Sequence, residues 1–385
     1  ASMQTTSQAP NLMQQAVAAL QQGRPADARQ AVSAAIQQGM NNASSWGVLA
    51  LACRDQGDMD AAQEAADRSI AFEPKNPRVL VVKGDAFYAT GKRQAAAAYY
   101  RDALKFAGTA ENIPAEIQTE LRRAQTRVAD LQRDFERHLE EHVGSQLKSP
   151  SVDTARMRNA LDLMCGRRKV FYPEPHHFMF PGLPIREFYD PGEFDWVSDL
   201  EAATADIRGE LEGLLEQRAD FNPYLTDVQD RPAYDTHGMK DNGDWGAFYL
   251  WNNGVPVPEN QARCPRTTAA LRQVPLVSSG QRCPNVLFSR LKAGARIPPH
   301  TGMVNTRLIC HLALIVPDGC GFRVGNDTRK WEEGKVWLFD DTIEHEAWNQ
   351  STYDRVVLIF EVWRPELSEP EQEFVTSVLK AVDSY

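Results

Sequence analysis

No CxxC pair occurs among the six cysteines (Cys53, Cys165, Cys264, Cys283, Cys310 and Cys320), which excludes zinc-finger and dithiol redox spacings. Their scatter reads as buried, reduced thiols of a cytoplasmic protein; Cys264 and Cys283 would pair only in an oxidising compartment. No apolar run approaches the roughly 18 residues that cross a bilayer. No charged-then-apolar leader opens the chain either. Ala1-Ser2-Met3 reads as a cloning remnant ahead of a start methionine, which leaves an upstream anchor open. Basic charge is also short: 42 Lys and Arg stand against 52 Asp and Glu, a net charge of -10. That balance argues against nucleic acid as the partner, because phosphate binding needs clustered cations. A Walker loop, a dinucleotide glycine pattern and a Ser-His-Asp order with suitable flanks are missing. Histidine is scarce, eight in all, so the place of each one carries weight.

What is present begins with length. The 385 residues, 42% hydrophobic and 24% charged, suffice for two or three globular domains. The first 110 or so contain a repeat: Gly23, Gly57 and Gly91 lie 34 residues apart, as do Ala28, Ala62 and Ala96, and Ala35, Ser69 and Ala103. Each glycine separates two amphipathic stretches, as in Ser45 to Arg54 and Met59 to Ile70, and Pro74 ends the latter. Small residues at fixed positions let antiparallel helices approach, and the glycine permits the tight turn between them. This 34-residue pattern resembles the tetratricopeptide repeat, and three units are about the minimum for a stable stack. It serves equally as a peptide-docking groove or as a spacer or dimerisation element.

From Pro114 to Val143, apolar residues at three- and four-residue steps (Ile117, Leu121, Ala124, Val128, Leu131, Phe135) predict one long amphipathic helix. His138 and His142, four apart near its end, have a metal-ligand spacing, but cations favoured at a helix C-terminus are the simpler reading. The expected division is a repeat domain over 4–112, a helical linker over 113–150 and a second domain over 151–385.

Beyond Ser151 short apolar runs alternate with turns. Candidate strands are Val286–Leu291, Arg307–Val316, Phe322–Val324, Lys335–Phe339 and Val356–Trp363, which suggests an all-β sandwich or barrel. Asp195–Leu215 reads as a flanking helix, and Glu332-Glu333-Gly334-Lys335 as a hairpin turn. Three histidines fall here. His300 sits between Pro298-Pro299 and Thr301-Gly302, and His345 follows Asp340-Asp341. Two imidazoles on neighbouring strand ends can hold a first-row metal and leave positions open, as oxygen chemistry requires. His311 shares one strand face with Arg307, Ile309 and Ala313, while Leu308, Cys310, Leu312 and Leu314 form the core face. Arg307, and Arg355 at the head of an apolar strand, are costly to bury unpaired. Each suits a bidentate carboxylate ligand or an internal salt bridge, for example with Glu361 or Asp341. His176-His177 read as substrate contacts or as cover for the barrel, and Trp245, Phe248, Tyr249 and Trp251 as core or pocket lining.

The ordered set Ser289, His300-Thr301-Gly302, Asn305, Arg307, His311-Leu312, Trp331-Glu332-Glu333-Gly334-Lys335, Phe339-Asp340-Asp341, Glu344-His345-Glu346, Trp348, Arg355 and Val362-Trp363-Arg364-Pro365-Glu366-Leu367 closely resembles the aspartyl/asparaginyl β-hydroxylase family. Phe180-Pro181-Gly182-Leu183 and Gly243-Asp244-Trp245 extend the resemblance upstream. It implies a multidomain α + β chain. Helical repeats, which also occur in that family, would precede an all-β double-stranded β-helix (jelly-roll, cupin-like) catalytic domain with flanking helices. It further implies Fe(II), 2-oxoglutarate and O₂ as cofactor and co-substrates. Iron would be held by His300 and His345, and 2-oxoglutarate by Ser289, His311 and Arg355. Asp341 is expected to orient His345 or a water, with Arg307 and Trp245 near the substrate. Gly302 stands where most related oxygenases carry a third, carboxylate ligand, a gap characteristic of this family. One departure is Ile309, which replaces the nearer arginine of the family's Arg-x-Arg.

These features lead to the expectation of a hydroxylase of the β-carbon of Asp or Asn in a protein or peptide that the repeats could dock, with no nucleic acid and no membrane segment involved. Ile309 keeps open a small-molecule, carrier-bound or lipid acyl substrate. A non-catalytic scaffold is the remaining alternative.

Overall fold

A computed structural model describes residues 8–108, 113–148, 154–226, 238, 240–279 and 282–385. Residues 1–3 and the segments flanking the expected 112/113 and 150/151 boundaries lie partly or wholly outside these. The chain divides into two compact units, Ala1–Cys165 and Gly166–Tyr385.

The first unit is helical: α1 (Ala9–Gln21), α2 (Pro25–Gln37), α3 (Ala43–Asp55), α4 (Met59–Phe72), α5 (Pro77–Ala89), α6 (Arg93–Ala107), α7 (Ala115–Val143) and α8 (Ala155–Met164). Gly23, Gly57 and Gly91 turn the chain between paired helices at φ +69°, +82° and +74°, a conformation costly to other residues. The repeated small residues Ala28, Ala62 and Ala96, and Ala35, Ser69 and Ala103, are all fully buried. Side-chain caps start several helices, Asn42 accepting from Ser45 N and Asp58 from Ala61 N.

The helix expected over 114–143 is α7, but it is not a free linker. Leu121, Ala124 and Leu131 pack with Tyr100, Ala103 and Ala107 of α6. Arg123 clasps Asp85 of α5 through two bonds of 2.6 Å, and Tyr100 Oη donates to the same carboxylate. α8 follows α7 through Gln132 Nε2, which donates to Cys165 O at 2.8 Å. These bonds carry the first unit to Cys165, past the expected boundary at 150. His142 Nδ1 donates to His138 O at 2.7 Å, closing the helix end in the manner of the simpler reading.

The second unit runs β1 (Phe188–Tyr189), α9 (Val197–Ala202), α10 (Thr204–Glu216), β2 (Asn222–Pro223), β3 (Trp245–Asn252), β4 (Val255–Pro256), α11 (Pro258–Arg263) and α12 (Pro265–Leu271). It continues with β5 (Val286–Leu291), β6 (Arg296–His300), β7 (Arg307–Ile315), β8 (Cys320–Val324), β9 (Asp327–Arg329), β10 (Val336–Phe339), β11 (His345–Asn349), β12 (Arg355–Trp363) and α13 (Glu369–Asp383). One antiparallel sheet has the order β1-β10-β7-β12-β5-β3-β2, with β4 on β3; a second has the order β6-β11-β8-β9.

Alternation sorts the large sheet's side chains onto two faces. Leu308, Cys310, Leu312 and Leu314 of β7, with Val356, Leu358, Phe360 and Val362 of β12, pack under Val197, Leu200, Ile207 and Leu211 of α9 and α10. Full burial of each such aliphatic side chain stabilises the fold by about 1.5–3 kcal/mol. The opposite face meets the small sheet, where Leu287, Leu291, Ala313 and Val357 join Ile297, Phe322, Val324 and Ala347. The site lies between the sheets. Two readings of local structure are corrected. The helix over Asp195–Leu215 is broken into α9 and α10 at Ala203, where Thr204 Oγ1 donates to Glu201 O at 2.6 Å. Glu332–Lys335 turns at Gly334 (φ +83°), but it links β9 of one sheet to β10 of the other and so is no hairpin.

Candidate active site

His300 ends β6, His345 opens β11, and the antiparallel register sets them opposite each other. Their ring centroids are 4.1 Å apart. Each ring is fixed from behind: His300 Nδ1 donates to Pro298 O at 2.8 Å and His345 Nδ1 to Ile343 O at 3.0 Å. With the proton on Nδ1, the lone pair lies on Nε2, the form in which imidazole ligates a metal. Burial, and then the neighbouring His300, hold His345 well below the ordinary imidazole range, so the ring stays neutral. Among the described residues no group of three His, Cys, Asp or Glu side chains could hold a metal ion. Two facing imidazoles with lone pairs on Nε2 could hold a labile divalent metal and leave other positions open.

Gly302 follows two residues after His300. A Cβ placed there would overlap the carboxylate of Asp341. Gly302 N donates to Asp341 O at 2.7 Å, fixing the two loops together. Asp341 accepts from Arg307 Nη1 at 3.0 Å. Arg307 Nε stands 3.1 Å from Glu361 Oε1, off a good hydrogen-bond angle, so this contact is ionic. Of the two roles open to Arg307, the internal salt bridge is the one formed. His345 is oriented by the Ile343 carbonyl and not by Asp341.

Arg355 takes the other course. It is 1% exposed and, among the described residues, has neither an ion pair nor a hydrogen bond. Its guanidinium lies 5.0 Å from the centroid of the Trp331 ring, and Trp331 lies 6.0 Å from His311, ring to ring. Arg355 Nε, Trp331 Nε1 and His311 Nδ1 are all buried without a partner. Burial pushes Arg355 down to about 10, and burial and then Arg355 press His311 well below its usual range. An unpaired buried charge costs several kcal/mol, so this cluster is built for an anion it does not supply. Ser289 faces the same interior, fully buried, opposite Val357. Its Oγ accepts from Trp245 Nε1 at 3.0 Å, which leaves its own O–H to donate elsewhere.

Two further residues had no role assigned in the sequence reading, where Trp331 stood only in the family resemblance. Trp331 sits in a loop, where periodicity is silent. Tyr224 stacks on Trp245 at 4.0 Å and 18°, and Trp245 lies 6.2 Å from His300. The tyrosine lies in an irregular stretch beside the two-residue β2, which gave no signal. His176 Nε2 reaches Thr301 Oγ1 at 3.2 Å and so braces the loop after His300. Of the basic residues near the site, Arg296 pairs with Glu346, and Lys292 lies 3.8 Å from Asp244.

Comparison with known proteins adds to this geometry. Residues 201–365 match the family described as aspartyl/asparaginyl beta-hydroxylase, and 13–77 and 48–111 match the tetratricopeptide repeat. An ornithine lipid ester-linked acyl 2-hydroxylase of Rhizobium tropici is 34% identical over 199 residues, 51% of this chain and 67% of that protein. This chain belongs to the aspartyl/asparaginyl β-hydroxylase family. The aspartyl/asparaginyl beta-hydroxylase of Mus musculus is 37% identical over 141 residues, 36% of this chain, and the match spans 19% of that protein's length. The aspartate beta-hydroxylase domain-containing protein 2 of Homo sapiens is 32% identical over 206 residues, 52% of this chain and 53% of that one. The stretch matching the β-hydroxylase family includes Trp245, Ser289, His300, Arg307, His311, Asp341, His345 and Arg355. No helix among the described residues is long and apolar enough to cross a membrane.

Proposed function

We propose that the second unit is an Fe(II)- and 2-oxoglutarate-dependent dioxygenase. It hydroxylates an unactivated C–H bond, the β-carbon of Asp or Asn in a protein or peptide brought by the repeats. The observation that carries this reading is the set of buried donors without acceptors, Arg355, Trp331 and His311, beside two facing imidazoles. A dicarboxylate that also chelates a metal answers both features at once.

In the proposed reaction 2-oxoglutarate, O₂ and R–H become succinate, CO₂ and R–OH. Iron held by Nε2 of His300 and His345 supplies the oxygen activation. The chain's residues bind and orient. Arg355 forks the distal carboxylate, with the Ser289 hydroxyl and Trp331 N–H as further donors. His311 would help to hold the carboxylate nearer the metal. Asp341, pinned by Arg307, fills the space that a side chain at 302 would take and orients water beside the metal. Phe322 and Phe339, whose rings lie 6.0 and 5.8 Å from His345, keep bulk water from the reacting centre.

A lipid or other acyl substrate is the second reading. Ile309, apolar on the inner face, and the name of the Rhizobium relative favour it. Mass spectrometry of a peptide library incubated with the full chain, iron, ascorbate and 2-oxoglutarate tests the proposal, with succinate followed in parallel. The expected result is a +16 product on one residue type, lost in His345→Ala, with Arg355→Ala raising the 2-oxoglutarate requirement. Absence of 2-oxoglutarate-dependent succinate under every condition would rule out the dioxygenase.

A further inference from the structure

We propose that Arg364 is a positioning residue for both imidazoles of the site, because it ties together the two loops that carry them. This inference rests on the reading of His300 and His345 as metal ligands.

Strand pairing alone does not hold either ring. His300 ends β6, an edge strand, and runs into the loop 301–306. His345 opens β11 out of the loop 340–344, and the register with β6 shifts directly after it. Where the two rings sit therefore depends on the two loops. In the second loop, Asp340 Oδ1 accepts from Thr342 N at 3.0 Å and from Thr342 Oγ1 at 2.6 Å. Asp340 O accepts from Ile343 N at 3.2 Å. This turn presents Ile343 O to His345 Nδ1, and Asp341 O to Gly302 N of the first loop.

Arg364 follows directly on β12, a central strand of the large sheet, and is fully buried. A guanidinium has five N–H groups, and all of them are engaged. Nη1 donates to Asp340 Oδ2 at 2.8 Å in one loop and to Asn305 O at 3.4 Å in the other. Nη2 donates to Pro184 O at 2.7 Å and to Tyr189 Oη at 2.5 Å. Nε donates to Glu366 Oε2 at 3.3 Å. The backbone joins in, Arg364 N donating to Thr306 O at 3.3 Å. Asn305 extends the grip: its side chain exchanges bonds of 2.7 and 2.9 Å with the backbone of Phe180. Upstream of Phe180, His176 N donates to Gly302 O at 3.1 Å and His177 N to Met303 O at 2.9 Å. One planar fork thus fixes both loops, and the segment lying along the first, against the sheet.

Stability is a weak reason for such a group, since buried ion pairs are often matched or bettered by apolar residues. Placement is a stronger one. Lysine has three donors on a flexible stem and cannot span the same acceptors. Arg355, at the other end of β12, is equally buried but has no ion pair or hydrogen bond among the described residues. One arginine of the strand faces the anion pocket, and the other builds the frame around the imidazoles.

The test is manganese(II) binding to the full chain by calorimetry, with urea unfolding of the same samples. The parent should bind and His345→Ala should not. Loss of a group that orients metal ligands typically weakens the metal by about tenfold or more, and Arg364→Lys should do so while still folded. Arg364→Met combined with Asp340→Asn removes the buried charges together and should regain the parent's stability, yet bind as weakly as Arg364→Lys. Tyr189→Phe removes a contact of the same guanidinium that reaches neither loop, and should leave the affinity unchanged whatever it does to stability. Affinity that merely follows stability across these variants, or parent-level binding in Arg364→Lys, overturns the inference and leaves the hydroxylase reading standing. A parent that binds no manganese, or His345→Ala that binds as the parent does, removes the metal-site reading, and the inference falls with it.

Discussion

Arg355 holds a positive charge in the interior with no ion-pair partner among the described residues. Folding therefore proceeds against that charge until an anion arrives. Replacing it by a residue of similar length without charge, Arg355→Met, is expected to raise the stability of the ligand-free chain by about 1–3 kcal/mol, in line with buried charges exchanged for apolar groups. The same change should abolish stabilisation by 2-oxoglutarate, about 2.7 kcal/mol in the parent at a hundred times the dissociation constant. Urea unfolding of the manganese-loaded protein with and without 2-oxoglutarate reads both numbers. A parent that gains nothing from the ligand would remove Arg355 from the co-substrate's grip. Sequence alternation had placed Arg307 and His311 on one inward face, and that face is real. Alternation could not say which arginine had an internal partner. That depended on Asp341 and Glu361, brought to Arg307 from a loop and a neighbouring strand. Trp331, named only in the family resemblance, and Tyr224 were given no role for a similar reason, since loop residues carry no period.

At the scale of elements, the strongly apolar strands β5, β7, β10 and β12 were legible almost to their ends. Those of the small sheet were less so. Pro298 and Pro299 kept β6 from being listed as a strand, although His300 was read at a strand end; β6 is an edge strand, where missing N–H donors are tolerated. β11 is His-Glu-Ala-Trp-Asn, too polar for a hydrophobic pattern. Together these two strands set the imidazoles opposite each other; their two strand ends were read in the sequence, but the pairing of the strands was not. The loop after β6 leads to a prediction. Gly302→Asp restores the carboxylate most related oxygenases carry, yet Asp341 already fills that space. Iron-dependent succinate formation is expected to fall at least tenfold, because a shift of about 1 Å at a reacting centre costs up to a hundredfold. Activity equal to the parent would show that the Asp341 loop yields freely.

At the scale of the whole molecule, every residue assigned to the site belongs to the second unit. The repeat unit has its own core, its own ion network around Asp85 and its own terminal helices. A fragment comprising residues 166–385 is therefore expected to keep iron- and 2-oxoglutarate-dependent succinate formation within about threefold of the full chain, as independent domains retain their chemistry. Its KM for a peptide substrate should rise if the repeats deliver that peptide. Parallel assays of succinate and peptide product separate these outcomes. A fragment with intact peptide kinetics would make the repeats a spacer.

All six cysteines are buried and none forms a disulfide among the described residues, and burial pushes the Cys264 thiol up to about 12. Hardly any thiolate is offered to solvent at neutral pH, so diffusing oxidants meet no ready sulfur nucleophile on the native surface. A thiol-reactive dye added to the intact protein should stay almost colourless and develop only as fast as the fold opens. The protein thus carries its own stopwatch for unfolding.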